Sequence, residues 1–148
     1  MSIGVRQFRA LLELRAVASR SVEAAARSLR DLEQARAEAG HALDRLEAAI
    51  RLEETIALGR AEIGFRDFAA YLTGAAAKRD AIIASCQSLE REIAAQREVL
   101  AAADLERRQF DHLVDQLAVS IRQRRQKAES ARLDEAGRRA RAAGRRKR

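Results

Sequence analysis

Two histidines, one cysteine and scattered carboxylates are the side chains of this chain that could serve as general bases, nucleophile or metal ligands. Catalysis needs such groups to converge in a cleft. His41 and His112 stand far apart, and both fall at outward positions of the apolar repeat described below, so both read as solvated surface residues. Cys86 has no second cysteine to bridge to and falls on an apolar seam, where a small buried residue belongs. The pair Glu53-Glu54 reads as ordinary helix-surface charge. No HExxH, CxxC or GxGxxG spacing occurs, and no glycine loop could cradle a phosphate. The sequence predicts no catalytic residue, no metal site, no cofactor and a chain that is not an enzyme.

The elements that carry these residues are legible from two features. Proline is absent, and apolar residues recur at heptad spacing. Proline in a helix interior costs about 3 kcal/mol or more, so its absence leaves helices free to run long. A sustained a/d repeat makes a helix bury a narrow seam against another helix. The first seam has Phe8, Arg15, Val22, Leu29, Arg36, Leu43 and Ile50 at a. Its d positions are Leu11, Ala18, Ala25, Leu32, Ala39, Leu46 and Glu53. The second has Phe65, Leu72, Arg79, Cys86, Ile93, Leu100, Arg107, Val114 and Ile121 at a. Its d positions are Phe68, Ala75, Ile82, Leu89, Gln96, Ala103, Phe110 and Leu117. Between the seams lie Gly59 and Gly64, and glycine tolerates the left-handed backbone that commonly ends a helix.

The pattern predicts an all-α fold: one long antiparallel two-helix coiled-coil hairpin with a projecting basic C-terminal helix. Helix 1 is expected over about 3–58, a turn over 59–64, and helix 2 over about 65–141, as a single domain of 1–148. In such a hairpin residue i faces roughly residue 123 − i, within about one heptad. Arg15 and Arg107 then fall at one level, which is unfavourable unless Asp104, Asp111 or Glu13 reaches them. Helix 1 runs out opposite Ile121. Aromatics are only 3% of the chain and alanine fills many seam positions, so the expected core is thin.

Charge is unevenly placed. The chain carries a net +7, yet residues 122–148 hold twelve basic and three acidic side chains, a net +9. Such an end attracts anionic partners and speeds their encounter. It reads as a solvated tail, as a contact for an acidic partner, or as a nucleic-acid contact. Phosphate binding needs only Arg and Lys. Specific nucleic-acid readout is not expected, because the tail has Gln123 and Gln126 but no aromatic residue for stacking. The stretch Phe8–Ala18 is interrupted by Arg9, Glu13 and Arg15, so no signal peptide is expected. No run approaches about 18 apolar residues, so no membrane span is expected either, and a cytoplasmic protein is the reading.

Three of the five aromatic residues, Phe65, Phe68 and Tyr71, cluster just after the turn. They read either as a clasp sealing the hairpin tip or as an exposed patch that docks another protein, since aromatic anchors commonly dominate interfaces.

Taken together, the proline-free hairpin, the segment Asp67-Phe68-Ala69-Ala70-Tyr71-Leu72 after the turn, and Arg132-Leu133-Asp134-Glu135-Ala136-Gly137-Arg138-Arg139 in the basic end resemble the FliJ family of flagellar type III export and its injectisome counterparts of the YscO kind. The resemblance covers most of the chain. It implies a non-enzymatic, stalk-like coiled coil that inserts into the hexameric export ATPase ring. It also implies contact with the cytoplasmic domain of the export gate membrane protein, peripheral to the membrane, and that some members escort export chaperones. Carried onto this sequence, the gate-facing patch is Phe68, Tyr71, Leu72 and Ala75, with Arg79 departing from the family pattern. The ring-facing residues are Arg132, Arg138, Arg139 and Arg141. A monomer is implied. The alternatives are a coiled-coil adaptor or scaffold outside secretion, and a cationic nucleic-acid binder.

Overall fold

A computed structural model describes residues 3–148 of the chain. It is a two-helix hairpin, with α1 spanning Ile3–Leu58 and α2 spanning Ala61–Arg146, and no strand among the described residues. The all-α hairpin expected from the heptads is the fold observed.

The turn is shorter than the sequence suggests. Only Gly59 and Arg60 are non-helical, against the expected 59–64. The Gly59 amide donates to the Ile56 carbonyl at 3.2 Å, and the Arg60 amide to the Ala57 carbonyl at 3.1 Å. These tight i−3 bonds satisfy carbonyls that the end of α1 would otherwise leave open. Neither Gly59 nor Gly64 adopts the left-handed backbone. Gly64 lies inside α2 and is buried. A Cβ added there would sit 2.6 Å from the Arg60 Cβ and 3.0 Å from the Ala57 carbonyl oxygen. Glycine at 64 is therefore a close-approach residue that lets the start of α2 lie on the end of α1.

At the other end α2 runs past the expected stop near 141 to Arg146. Gly137 and Gly144 weaken a helix by about 1 kcal/mol each relative to Ala, but nothing in this proline-free stretch forbids it. Arg145 and Arg146 occupy the last turn, where cations meet the negative end of the helix dipole.

The chain divides into two compact units, and each helix contributes to both. One is Glu23–Ala102. Its buried residues include Ala25, Ala57, Ala75, Cys86 and Ile93, flanked by half-buried Leu29, Leu43, Leu46, Ile82 and Leu89. Ion pairs lace its flanks: Arg36 to Glu90 at 2.9 Å, Arg79 to Glu47 at 3.6 Å and Arg97 to Glu33 at 3.6 Å. Gln96, a polar d residue, donates through Nε2 to the Ala25 carbonyl at 3.3 Å, which ties α2 to the backbone of α1.

The second unit comprises Met1–Val22 and Ala103–Arg148. Ala18 and Val114 are buried there, with Phe8, Leu11, Phe110, Leu117 and Ile121 half-buried around them. The two seam arginines find the anticipated carboxylates. Arg15 Nε lies 3.8 Å from Asp111, and Arg107 Nη2 donates to Asp104 at 2.8 Å. Asp104 also takes Arg108 at 2.8 Å through its other oxygen.

Candidate partner-binding surfaces

The heptad seam positions of α1 all fall on its covered side: every one from Phe8 to Glu53 is buried or half-buried. On α2 the agreement fails at three a positions nearest the turn. Phe65 is 54% exposed, Leu72 is 36% exposed, and Arg79 is exposed. The cause is Gly64. Its contact with Ala57 and Arg60 turns the Gly64, Phe68, Tyr71 and Ala75 side of α2 toward α1. The neighbouring row, Phe65, Ala69, Leu72 and Ala76, is left facing solvent. The aromatic cluster is thus split. Phe68 and Tyr71 are half-buried, while Phe65 is not the clasp residue its heptad position suggests.

This revises the patch expected from the sequence. Leu72 is accessible and lines a groove of about 380 Å³ with Ile50, Arg51, Ala76 and Arg79. Phe68 lines a shallow notch with Ile56, Gly64 and Asp67. Ala75 is only 4% exposed and serves the core, so it offers little to a partner. Phe65, a seam residue by its heptad position, is the member of the aromatic cluster that the exposed-patch reading gains. The available signal was Gly64, one residue before it, which marks where α2 presses on α1. Leu52, Ile56 and Leu58 on α1 are exposed in the same unit and enlarge its apolar surface.

The second unit carries a further apolar groove, outside the patch expected from the sequence. Ala10, Leu11 and Leu14 of α1 and Leu113 and Leu117 of α2 line about 590 Å³, with Gln7, Gln116 and Ser120 at its edges. No charged side chain lines it, in a chain of which 34% is charged. The signal was present in Leu14 and Leu113, which flank the two seams at g positions.

In that unit α2 is exposed at every residue from Arg122 onward. Arg132, Arg138, Arg139 and Arg141 all lie in this stretch. Arg139 Nη2 donates to Glu135 Oε1 at 2.6 Å along the helix, a pair open to solvent on both sides. At the base of the stretch, Arg122 and Arg125 lie beside Val5, Phe8 and Ile121.

The groups with catalytic potential do not converge. His41 and His112 are exposed, and Cys86 is a buried free thiol. Among the described residues no group of three or more His, Cys, Asp or Glu is placed to hold a metal ion, and no helix is long and apolar enough to cross a membrane. Fold and surfaces define an all-α two-helix hairpin with an apolar stripe beside its turn and a basic helical end. Comparison with family models, with curated proteins and with solved structures finds no match to this chain.

Proposed function

We propose that this chain is a non-enzymatic component of a type III protein-export apparatus, flagellar or injectisome, acting as a stalk-like coiled coil of the FliJ and YscO kind. In this reading the basic end enters the hexameric export ATPase ring, and the apolar stripe near the turn meets the cytoplasmic domain of the export gate protein. The observation that carries the reading is the exposed basic stretch of α2, a helical cation surface with no covering element among the described residues. The stripe Phe65, Ala69, Leu72 and Ala76 supports the second contact, because a contiguous exposed apolar patch marks an interaction surface.

The physical mechanism follows from symmetry. A two-helix element in a sixfold ring cannot contact all subunits equally. It favours one nucleotide state in the subunits it touches, since a ligand shifts an equilibrium only by its differential affinity for the states. Arg132, Arg138, Arg139 and Arg141 supply charge suited to an acidic lumen. The test is a pull-down of the purified protein with the organism's export ATPase, with steady-state ATP hydrolysis read in the same sample. Binding with stimulated hydrolysis, lost on charge reversal of Arg138, Arg139 and Arg141, is expected. A folded helical protein that neither binds nor stimulates overturns the stalk reading.

A further inference from the structure

We propose that the uncharged groove of the second unit is a self-association surface, on which two copies of this chain pack face to face about a twofold axis with their hairpins antiparallel. This goes beyond the export reading, does not depend on it, and departs from the monomer that the family resemblance implies. Two rows flank the seams on the groove side, at the g and c positions of the heptads. On α1 the row is Gln7, Ala10, Leu14, Val17 and Ser21. On α2 it is Glu106, Gln109, Leu113, Gln116 and Ser120. All ten are exposed except half-buried Ser120, with Leu14 47% and Leu113 44% exposed at the row centres. Glu106 alone among them is charged. Over the same spans the opposite flank, at e and b, carries Arg9, Arg108, Asp111 and Asp115 among eight residues. Asp111 there takes Arg15 from the seam.

The order of these side chains fits a second copy as the occupant. A twofold contact sets one patch against itself, so each row must read alike in both directions. Both rows do. About Leu14, Ala10 mirrors Val17 and Gln7 mirrors Ser21. About Leu113, Gln109 mirrors Gln116 and Glu106 mirrors Ser120. Leu14 and Leu113 line one groove, so a single axis at their level serves both rows. Each leucine then meets its own copy at the centre, an apolar core inside a polar rim. Gln109 of one copy lies across from Gln116 of the other, and an amide both donates and accepts. Glu106 lies across from a hydroxyl that can donate to it, not from a second carboxylate. A helix of an unrelated protein needs no such mirror order. The antiparallel sense follows from charge: residues 122–148 carry a net +9, and a parallel pair would set two such ends side by side. Each row runs about 21 Å along the axis and two helices are about 20 Å across, so pairing covers on the order of 1,000 Å² in total. That is the low end for a specific contact, so the dimer is weak and reversible.

The test is sedimentation velocity on the full-length protein, in near-physiological salt, over concentrations up to about 0.5 mM, enough to populate a dimer of micromolar affinity. A reversible monomer–dimer equilibrium is expected, with amide shifts on dilution centred in residues 7–21 and 106–120. Because Leu14 meets its own copy, Leu14→Glu and Leu14→Lys each set like charges together, and each should weaken the dimer at least about tenfold. Mixed in equal amounts, the two variants should pair again at least as tightly as the parent. Leu113→Glu with Leu113→Lys repeats the test on α2. Leu133→Glu, at an exposed leucine outside the groove, should leave the dimer unchanged. Circular dichroism checks that every variant remains helical. A parent that stays monomeric throughout the series overturns the proposal. So does a dimer that charges at Leu14 and Leu113 leave intact, and so do folded variants that associate no better when mixed. Export-ATPase binding by the monomeric variants is measured separately and bears on the stalk reading alone.

Discussion

Arg36 and Glu90 meet across the two helices, with Arg36 Nε and Nη2 at 3.0 and 2.9 Å from the same carboxylate oxygen. Arg36 holds an a position that an apolar residue would normally fill. It keeps its stem on the seam and carries its head outward to Glu90. Gly40, one turn on, leaves room for it: an added Cβ there would lie 3.1 Å from Arg36 Nη1. Both partners are more than a third exposed, so the pair is worth little in stability and more in register. Glu90→Gln should lower stability by about 0.5 kcal/mol, an effect that fades in high salt. Arg36→Leu should raise stability while loosening the choice of register. Urea titrations at low and high salt, with cross-helix distances from spin labels, check both expectations.

The turn gives a sharper contrast between two glycines. Gly64→Ala must place a methyl 2.6 Å from the Arg60 Cβ and 3.0 Å from a backbone oxygen, so the start of α2 must move off α1. A loss of about 1–3 kcal/mol is expected, the range for overpacking. Gly59→Ala meets only the Ile56 carbonyl oxygen, at an ordinary 3.5 Å, and has no left-handed backbone to strain. It should be neutral within about 0.5 kcal/mol. Thermal melts of the two variants separate the roles, and equal effects would contradict the assignment.

Much of this was written in the heptads, and the departures share a cause. Helix 1 could be read residue by residue, because from Phe8 to Glu53 only Arg15, Arg36 and Glu53 break the apolar repeat, and its end falls at Leu58 as expected. Heptad spacing gives the side of a helix that is apolar, but not how a turn rotates the next helix. That rotation is set by the two-residue turn and by contact at Gly64, which involve distances between helices. Hence Phe65 and Leu72, seam residues by heptad, lie outside the seam, while Ala75, a seam residue by heptad and a patch residue only by the family resemblance, lies in the core. The cross-helix pairs were legible only to within the heptad: Arg36–Glu90, Arg79–Glu47 and Arg15–Asp111 each sit three residues beyond the partner expected from 123 − i.

Arg107 is a seam residue with an internal conflict. Its Nη2 is bound to Asp104, but its Nε is buried without a hydrogen-bond partner among the described residues. Leaving such a donor unsatisfied costs about 1–3 kcal/mol. Arg107→Leu removes the orphan, fills an a position with an apolar side chain, and leaves Asp104 its bond to Arg108. The variant should unfold at higher temperature than the parent. Asp104→Asn should unfold at lower temperature, because it weakens the carboxylate that holds both guanidinium groups. Differential scanning calorimetry reads both signs.

The split of the aromatic cluster predicts which patch substitutions act on binding and which on folding. Phe65 is 54% exposed and Leu72 36%, so Phe65→Asp should shift the helical melt little and Leu72→Asp should cost more, about 1 kcal/mol, while both stay folded. Ala75 packs against α1, so Ala75→Asp buries an unpaired carboxylate and should cost several kcal/mol. If the stripe docks an export-gate domain, the first two variants lose that binding while remaining folded. Circular dichroism melts and a binding titration against the isolated gate domain are needed together. A folded Phe65→Asp variant with undiminished binding would remove Phe65 from the contact, and a stable Ala75→Asp variant would contradict its burial. The two assays fail independently, so the position of each side chain and the purpose of the stripe are tested apart.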